Sequence, residues 1–378
     1  MNRIFPLLLT VTLLAAVTTA HAQNPQSISA SAPANATTST QDIRAVLATL
    51  PEADTFVYIN PRRIINEAAP RVMSETDLAG LRKTFADMSQ FAGFDPTKVD
   101  FIVIAVRFRK PGSDLKFTPP EFMAVTSGDF NAESLMNLAR NASEGKLRDE
   151  KYGSKTLSLM TIDPLVKEAE KNPFLKSFSE VGLVMLNANA VAVGTPAYLR
   201  AAVDAAEGNG RISTESLNSL LRDPTVLASI AGSPMNSFAK SFGLMGTETN
   251  PRPPKCDSNL GNFYVALTMD ATNFMLRGVM GADNPDTANI MNNLLSGFVR
   301  HATSYIPDKT GQTVMSSLQL SARDNEMVLS ADVPHQMVID FIKSKSQPAK
   351  KDDAATSAAT PPAKKPVVRR KRRRATKN

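Results

Sequence analysis

Five stretches of the chain share one order of elements, and this order constrains the fold most. Each begins with a short run rich in β-branched or aromatic residues, passes an Asn, Thr or Asp, and ends in a helical pattern. Such polar side chains accept hydrogen bonds from the first amides of a helix, and a proline in the first helical position loses no bond. The predicted strand and helix pairs are 55–59 with 62–69, 122–126 with 132–140, 191–193 with 197–206, 264–268 with 273–280, and 327–330 with 335–342.

Hairpins accompany two of these units in the same way. Residues 181–186 lead through a turn at 187–189 to the strand at 191–193, and residues 316–321 lead through a turn at 323–325 to the strand at 327–330. The repetition predicts two possibly duplicated halves, 40–208 and 212–343. Hairpins and strand–helix units together predict an α+β fold, with mainly antiparallel or mixed sheets and helices packed on one face.

Other periodic segments fit this layered body. Ser74 and Asp77 have the spacing of a capping box ahead of an apolar face at Leu78, Leu81, Phe85 and Met88. A second helix is predicted from Pro285, with one apolar stripe made by Met291, Leu294, Leu295, Phe298 and Val299. The predicted strand 99–109 is wholly apolar at its start and alternates at its end.

The first 22 residues have the pattern of a secretory signal peptide. Arg3 supplies a positive charge, residues 4–17 are mostly apolar, and Ala20-His21-Ala22 is a small-x-small cleavage pattern. The apolar run is shorter than the ~20 residues that a membrane-spanning helix needs. We therefore expect an exported protein, periplasmic or extracellular, with a flexible linker at 23–39 and no transmembrane segment after cleavage.

Charge is distributed unevenly along the 378 residues. Residues 343–378 contain 13 Lys and Arg and 2 Asp, whereas residues 23–342 contain 29 basic and 34 acidic residues. The tail at 344–378 is rich in Ala, Thr and Pro and has no apolar period, so it is predicted to be disordered. Its candidate polyanion-binding residues are Lys364, Lys365, Arg369, Arg370, Lys371, Arg372, Arg373 and Arg374.

A cationic tail attracts polyanions through their phosphates. The predicted partner is an anionic envelope polymer or lipid headgroups, and nucleic acid is a further, non-specific possibility. Base stacking uses aromatic side chains, and the tail contains none. A tail that only increases solubility is the alternative.

Few residues point to chemistry. Cys256 is the one cysteine, in a proline-rich stretch, so no intrachain disulfide can form and the fold depends on burial. His301 and His335 remain after signal cleavage, without an HExxH pattern, and no nucleotide-binding or nucleophile-elbow motif occurs. The sequence therefore predicts no metal site and no cofactor.

One pair of motifs resembles the serine acyl-enzyme pattern. Ser237 and Lys240 form S-x-x-K, and Lys309-Thr310-Gly311 forms K-T-G. S-x-x-K also occurs at Ser113 and Ser143, and no S-x-N stands between Lys240 and Lys309. We interpret the two motifs as a helix-surface lysine and a turn glycine ahead of a strand at Val314.

Three stretches, Leu50–Pro70, Val103–Pro111 and Gly194–Val203, resemble uncharacterised exported proteins from acidobacterial-type genomes. The resemblance covers about residues 45–340 and implies an envelope location, without an activity or a functional residue.

The sequence thus favours a non-catalytic exported protein whose α+β body is tethered to an anionic envelope polymer by the basic tail. The alternative is a periplasmic enzyme or small-ligand-binding protein with a cleft between the two halves, because domain junctions favour pockets. Enzyme activity is left open.

Overall fold

The computed structural model describes residues 40–92, 94–108, 120–143, 146–161, 180–223, 225–233, 260–306 and 309–346. The predicted signal peptide, the linker at 23–39 and the tail beyond Ser346 lie outside these residues, as do Ser237, Lys240 and Cys256.

Twelve strands of the described chain form one sheet in which every neighbouring pair is antiparallel. Their order across the sheet is β11-β12-β10-β9-β8-β1-β2-β3-β7-β6-β5-β4. The strands are β1 Thr55–Ile59, β2 Val99–Arg107, β3 Glu121–Gly128, β4 Leu147–Tyr152, β5 Lys155–Thr161, β6 Glu180–Asn187, β7 Ala190–Gly194, β8 Ala228–Gly232, β9 Leu260–Met269, β10 Asn273–Ala282, β11 Gln319–Arg323 and β12 Glu326–Pro334.

Helices lie in connections between these strands, before β1 and after β12. They are α1 Thr40–Leu47, α2 Pro61–Arg63, α3 Ala69–Val72, α4 Glu75–Ala92, α5 Ala132–Ala142, α6 Pro196–Ala206, α7 Thr214–Leu220, α8 Pro285–Ser304, α9 Lys309–Ser316 and α10 His335–Ser346, with a π-helical turn at Ile64–Ala68 and a 3-10 turn at Pro96–Lys98. The α+β class and the antiparallel sheet predicted from the sequence are therefore confirmed.

One connectivity occurs twice in the sheet. Strands β1-β2-β3-β7-β6 follow one another from the centre to one side, and β8-β9-β10-β12-β11 follow in the same way to the other side. The register of β1 with β8 is centred on the pair Val57 and Ile230. A register shift lies near the start of β2 and another near the start of β9. Among the described strands, the extra hairpin β4–β5 belongs to the first half alone. Duplication itself stays a prediction, and this shared order supports it.

Helices pack on both faces of the sheet, whereas the sequence predicted them on one face. Alternate residues of a strand point to opposite faces. Phe101 and Val103 of β2 belong to a core cluster with α6 and α7, which defines face A. Ile102, with Ile104 packed alongside, belongs to a second cluster with α5 and α4, which defines face B. The apolar start of β2 is the local cause, since a strand without polar residues needs cover on both sides.

Residues 273–280, predicted as a helix, form strand β10 instead. The Asp270 carboxylate accepts hydrogen bonds from the amides of Thr272 and Asn273, both at 2.7 Å. This is a side-chain-capped turn, and it joins β9 to β10 as a hairpin with Phe274 opposite Met269. The same polar residues cap helices and turns, so the capping signal alone did not distinguish the two structures.

Candidate functional site

The junction between the two halves brings three polar side chains together on face A. Tyr58 of β1 lies opposite Ser229 of β8, and Tyr264 belongs to the adjacent strand β9. Their exposed fractions are 5% for Tyr58, 2% for Ser229 and 9% for Tyr264. Strand alternation therefore turns three hydroxyl groups into the core at the centre of the sheet.

Arg63 approaches the same place from the end of β1. Asn60 caps α2 by accepting a hydrogen bond from the Arg63 amide at 3.0 Å. The Arg63 guanidinium donates to Glu67 through Nε at 3.0 Å and through Nη2 at 2.8 Å. Its charge acts on Tyr58, and Asp223 acts on both Arg63 and Tyr264. We call Tyr58, Arg63, Ser229 and Tyr264 the seam cluster.

Three atoms of the seam cluster are buried without a hydrogen-bond partner among the described residues. They are Arg63 Nη1, Ser229 Oγ and the Tyr264 hydroxyl. Ser229 and the Asp223 backbone lie near enough to lower the pKa of Tyr264, but neither meets the geometry of a hydrogen bond to it. A buried polar group left unpaired costs about 1–3 kcal/mol, so most such groups in proteins are paired with protein atoms or with ordered water. Three unpaired polar atoms around one junction are unusual for the core of a sheet. A small ligand with hydrogen-bond acceptors could bind there and pair with these three atoms.

The ionisation of the cluster favours binding over acid–base chemistry. Burial raises the pKa of Tyr58 to about 12, and the hydrogen bond to Asn60 only partly opposes this. Burial and the Asp223 carboxylate raise the pKa of Tyr264. The hydrogen bonds to Glu67 raise the pKa of Arg63. At neutral pH the cluster thus supplies two neutral phenols, a hydroxyl and a cation. All four groups can donate hydrogen bonds.

A second polar group lies where β1 begins and β2 ends, and its members are already paired. The Arg107 guanidinium forms an ion pair with Glu121 and lies 4.6 Å from the ring centre of Tyr198. The Tyr198 hydroxyl donates to the carbonyl of Glu52 at 2.9 Å. The Asp54 carboxylate accepts from the amide of Phe108 at 2.6 Å. Because each polar atom named here has a partner, we assign this group to stability.

Of the two candidate catalytic motifs, only Lys309-Thr310-Gly311 lies within the described residues. Lys309-Thr310-Gly311 opens α9, which also contains Val314, so the strand predicted at Val314 is wrong. The His301 ring packs edge-on against Tyr305, and the His335 ring against Phe274. Within the described ranges, no group of three or more His, Cys, Asp or Glu could hold a metal ion.

The predicted polyanion-binding residues, Lys364 to Arg374, lie outside the described residues. The seam cluster was not predicted. Its only sequence signals are a tyrosine and a serine inside the apolar runs Thr55–Ile59 and Ala228–Gly232. Strands β1 and β8, which carry this tyrosine and this serine, are far apart in the chain. They become neighbours only when the whole sheet forms.

Comparison with known proteins leaves the family open. No family model matches the chain, and no curated protein matches it. Solved structures that resemble it include crystal forms of TP0453. Form III has 10% sequence identity and a TM-score of 0.42, covering 79% of this chain and 97% of that one. Form IV has 10% identity and a TM-score of 0.39, covering 78% and 95%. No described helix is long and apolar enough to cross a membrane.

Proposed function

We propose that this chain is an exported, non-catalytic envelope protein whose α+β body is held to an anionic polymer by its basic tail. The observation that carries the proposal is the separation of charge. Residues 343–378 have 13 basic residues against 2 acidic ones, whereas residues 23–342 have an excess of acidic residues. A polyanion would therefore attract the tail and repel the body, so the tail acts as a tether.

The tether predicts binding that depends on the tail and on salt. We expect removal of residues 347–378, which leaves α10 intact, to weaken binding to isolated envelope fragments roughly tenfold or more near physiological salt. Binding of the intact protein should fall steeply as salt rises, because neutralised phosphates release counterions. Co-sedimentation across a salt titration, with envelope fragments, anionic phospholipid vesicles and DNA as separate targets, measures both effects.

Two tail variants make the test specific to charge. In one, the eight candidate basic residues are replaced by glutamine; in the other, the order of residues 347–378 is shuffled at constant composition. The shuffled tail should bind like the intact one and the glutamine tail like the truncated protein. Equal binding by the glutamine tail would contradict the tether, and equal binding to DNA would reduce it to general polyanion attraction.

The seam cluster favours a second candidate function, the binding of a small molecule that accepts hydrogen bonds. Three buried polar atoms that have no hydrogen-bond partner among the described residues support it, and they lie where the two halves meet, the place expected for a pocket.

A thermal-shift screen of small carboxylates, phosphates and polyols tests this candidate. A compound that binds the cluster should raise the melting temperature of the intact protein and not that of a Ser229→Ala, Tyr264→Phe double variant. Without a ligand, the double variant should be as stable as the parent or slightly more stable, because two unpaired hydroxyls are removed. If every active compound stabilises the parent and the double variant equally, the seam cluster is not the binding site of these compounds.

A further inference from the structure

Helix α8 carries an apolar stripe that the described residues leave uncovered. Ile290 and Leu294, one helical turn apart, are 41% and 69% exposed. Ala288 and Met291, which lie on an adjacent side of the helix, are buried. The sequence predicted Leu294 to share the stripe of Met291, but the two residues point to different surroundings. We call Ile290 and Leu294 the α8 stripe.

The repeated connectivity shows what covers the equivalent helix in the first half. Helix α8 follows β10 as α5 follows β3. Helix α8 contacts β10, β11 and β12, and by the repeated connectivity we place it on face B, the face to which Met327 and Ala331, the buried residues of β12, belong by register. In the first half, α4 contacts α5 on face B, and its Met88 packs against the cluster that contains Met136.

The strands beside α8 also show incomplete cover on face B. Phe263 has the position in β9 that Ile102 has in β2, as the strand pairings show. Ile102 is 7% exposed in the cluster with α4 and α5. Phe263, Val265 and Leu267 are only half-buried. Face B of β9 is therefore apolar and only half-buried, although α10 reaches the same face of the second half, where the His335 ring contacts Phe274.

The chain contains a segment of matching connectivity and pattern. Helix α4 lies in the connection between β1 and β2, and the corresponding connection between β8 and β9 is residues 233–259. The large residues of the apolar face predicted for α4 are Leu78, Leu81, Phe85 and Met88. The connection has Met235, Phe238, Phe242 and Met245, with the same intervals of three, four and three. This spacing is that of one apolar helix face.

We propose that residues 235–245 of this chain dock on the α8 stripe through Met235, Phe238, Phe242 and Met245. The identical apolar spacing, the equivalent place in the connectivity and the uncovered area on face B each support this occupant. A second copy of the chain or an outside partner are the competing occupants, and the test distinguishes them.

Disulfide trapping in the full-length chain tests the docking. With Cys256 replaced by serine, the chain has no other cysteine. We expect the pair Leu294→Cys with Met245→Cys, or Leu294→Cys with Phe242→Cys, to form a disulfide within one chain on mild oxidation. Lys240→Cys with Leu294→Cys is the matched control, because position 240 lies opposite the apolar set at helical spacing. The control should cross-link at least tenfold more slowly.

Each other outcome overturns the proposal. Disulfides between chains would identify a second copy as the occupant, and equal trapping by the control pair would show random contact. If no trapping occurs and the thiol introduced at position 294 reacts with a maleimide as fast as an exposed model thiol, the stripe is uncovered in the isolated protein. If no trapping occurs and that thiol reacts slowly, a different part of the chain covers the stripe. Unchanged circular dichroism and melting temperature of the reduced variants confirm that each result comes from a folded chain.

Discussion

Replacement of Gly232 by alanine is expected to lower the free energy of unfolding by about 3 kcal/mol or more. Gly232 ends β8 with φ of +152°, a conformation that residues with a Cβ rarely adopt. A Cβ there would clash with the carbonyl oxygen of Asp54 and lie 2.8 Å from the Cα of Thr55. Both neighbours are backbone at the start of β1, the strand paired with β8, so the clash could be relieved only by separating the two halves of the sheet.

Gly80→Ala is the matched control. Gly80 is exposed within α4, and a Cβ at this position would meet nothing within 4 Å. Because alanine favours a helix over glycine, this variant should be about 0.5–1 kcal/mol more stable than the parent. Urea unfolding followed by circular dichroism measures both changes. Equal midpoints for Gly232→Ala and the parent would show that the β1–β8 junction is not as closely packed as described.

Local sequence signals predicted elements well where one physical cause dominates. The strands at 55–59, 122–126, 191–193, 264–268 and 327–330 and the hairpins around Asn187 and Asp324 are all present. Asp324 has a left-handed φ of +49°, as its place in the turn between β11 and β12 requires. In these segments burial, turn chemistry and propensity agree, so a short window of sequence was enough.

The failures come from features that depend on distant partners. Residues after Asp270 were predicted as a helix because a capped turn and a capped helix use the same side-chain hydrogen bonds. The segment forms a strand because Phe274 pairs with Met269 of β9 and with Val333 of β12. The seam cluster has the same origin, since its residues become neighbours only when the two halves share one sheet. The outward direction of Leu294 likewise depends on which side of α8 meets the sheet.

The folded body and the basic tail of this molecule should respond differently to salt. In the proposed tether, the attraction between the basic residues of the tail and a polyanion would be screened over about 8 Å at physiological salt. Contacts in the sheet core, such as Phe56 against its neighbours, do not respond to salt in that way. If the tether operates as proposed, salt should release the tail from the polyanion while the body stays folded, so that binding and stability can be measured separately.

Replacement of Tyr198 by alanine is expected to be the most destabilising change in a single side chain, at about 4 kcal/mol. Tyr198 of α6 has no exposed surface and belongs to the core cluster on face A. Its loss removes a large buried ring, the contact with the Arg107 guanidinium at 4.6 Å, and the hydrogen bond to the Glu52 carbonyl at 2.9 Å. A domain of ordinary stability, about 5–15 kcal/mol, would lose a large part of it.

Tyr198→Phe separates these contributions, because it keeps the ring and removes only the hydroxyl. This variant should lose about 1–2 kcal/mol, since the Glu52 carbonyl loses its donor. The difference between the two variants then measures the buried ring together with its contact to Arg107. Urea unfolding of both proteins at one pH gives the two values. If phenylalanine cost as much as alanine, the hydrogen bond and not the packing would hold α6 on the sheet, and the assignment of this group to core stability would need to change accordingly.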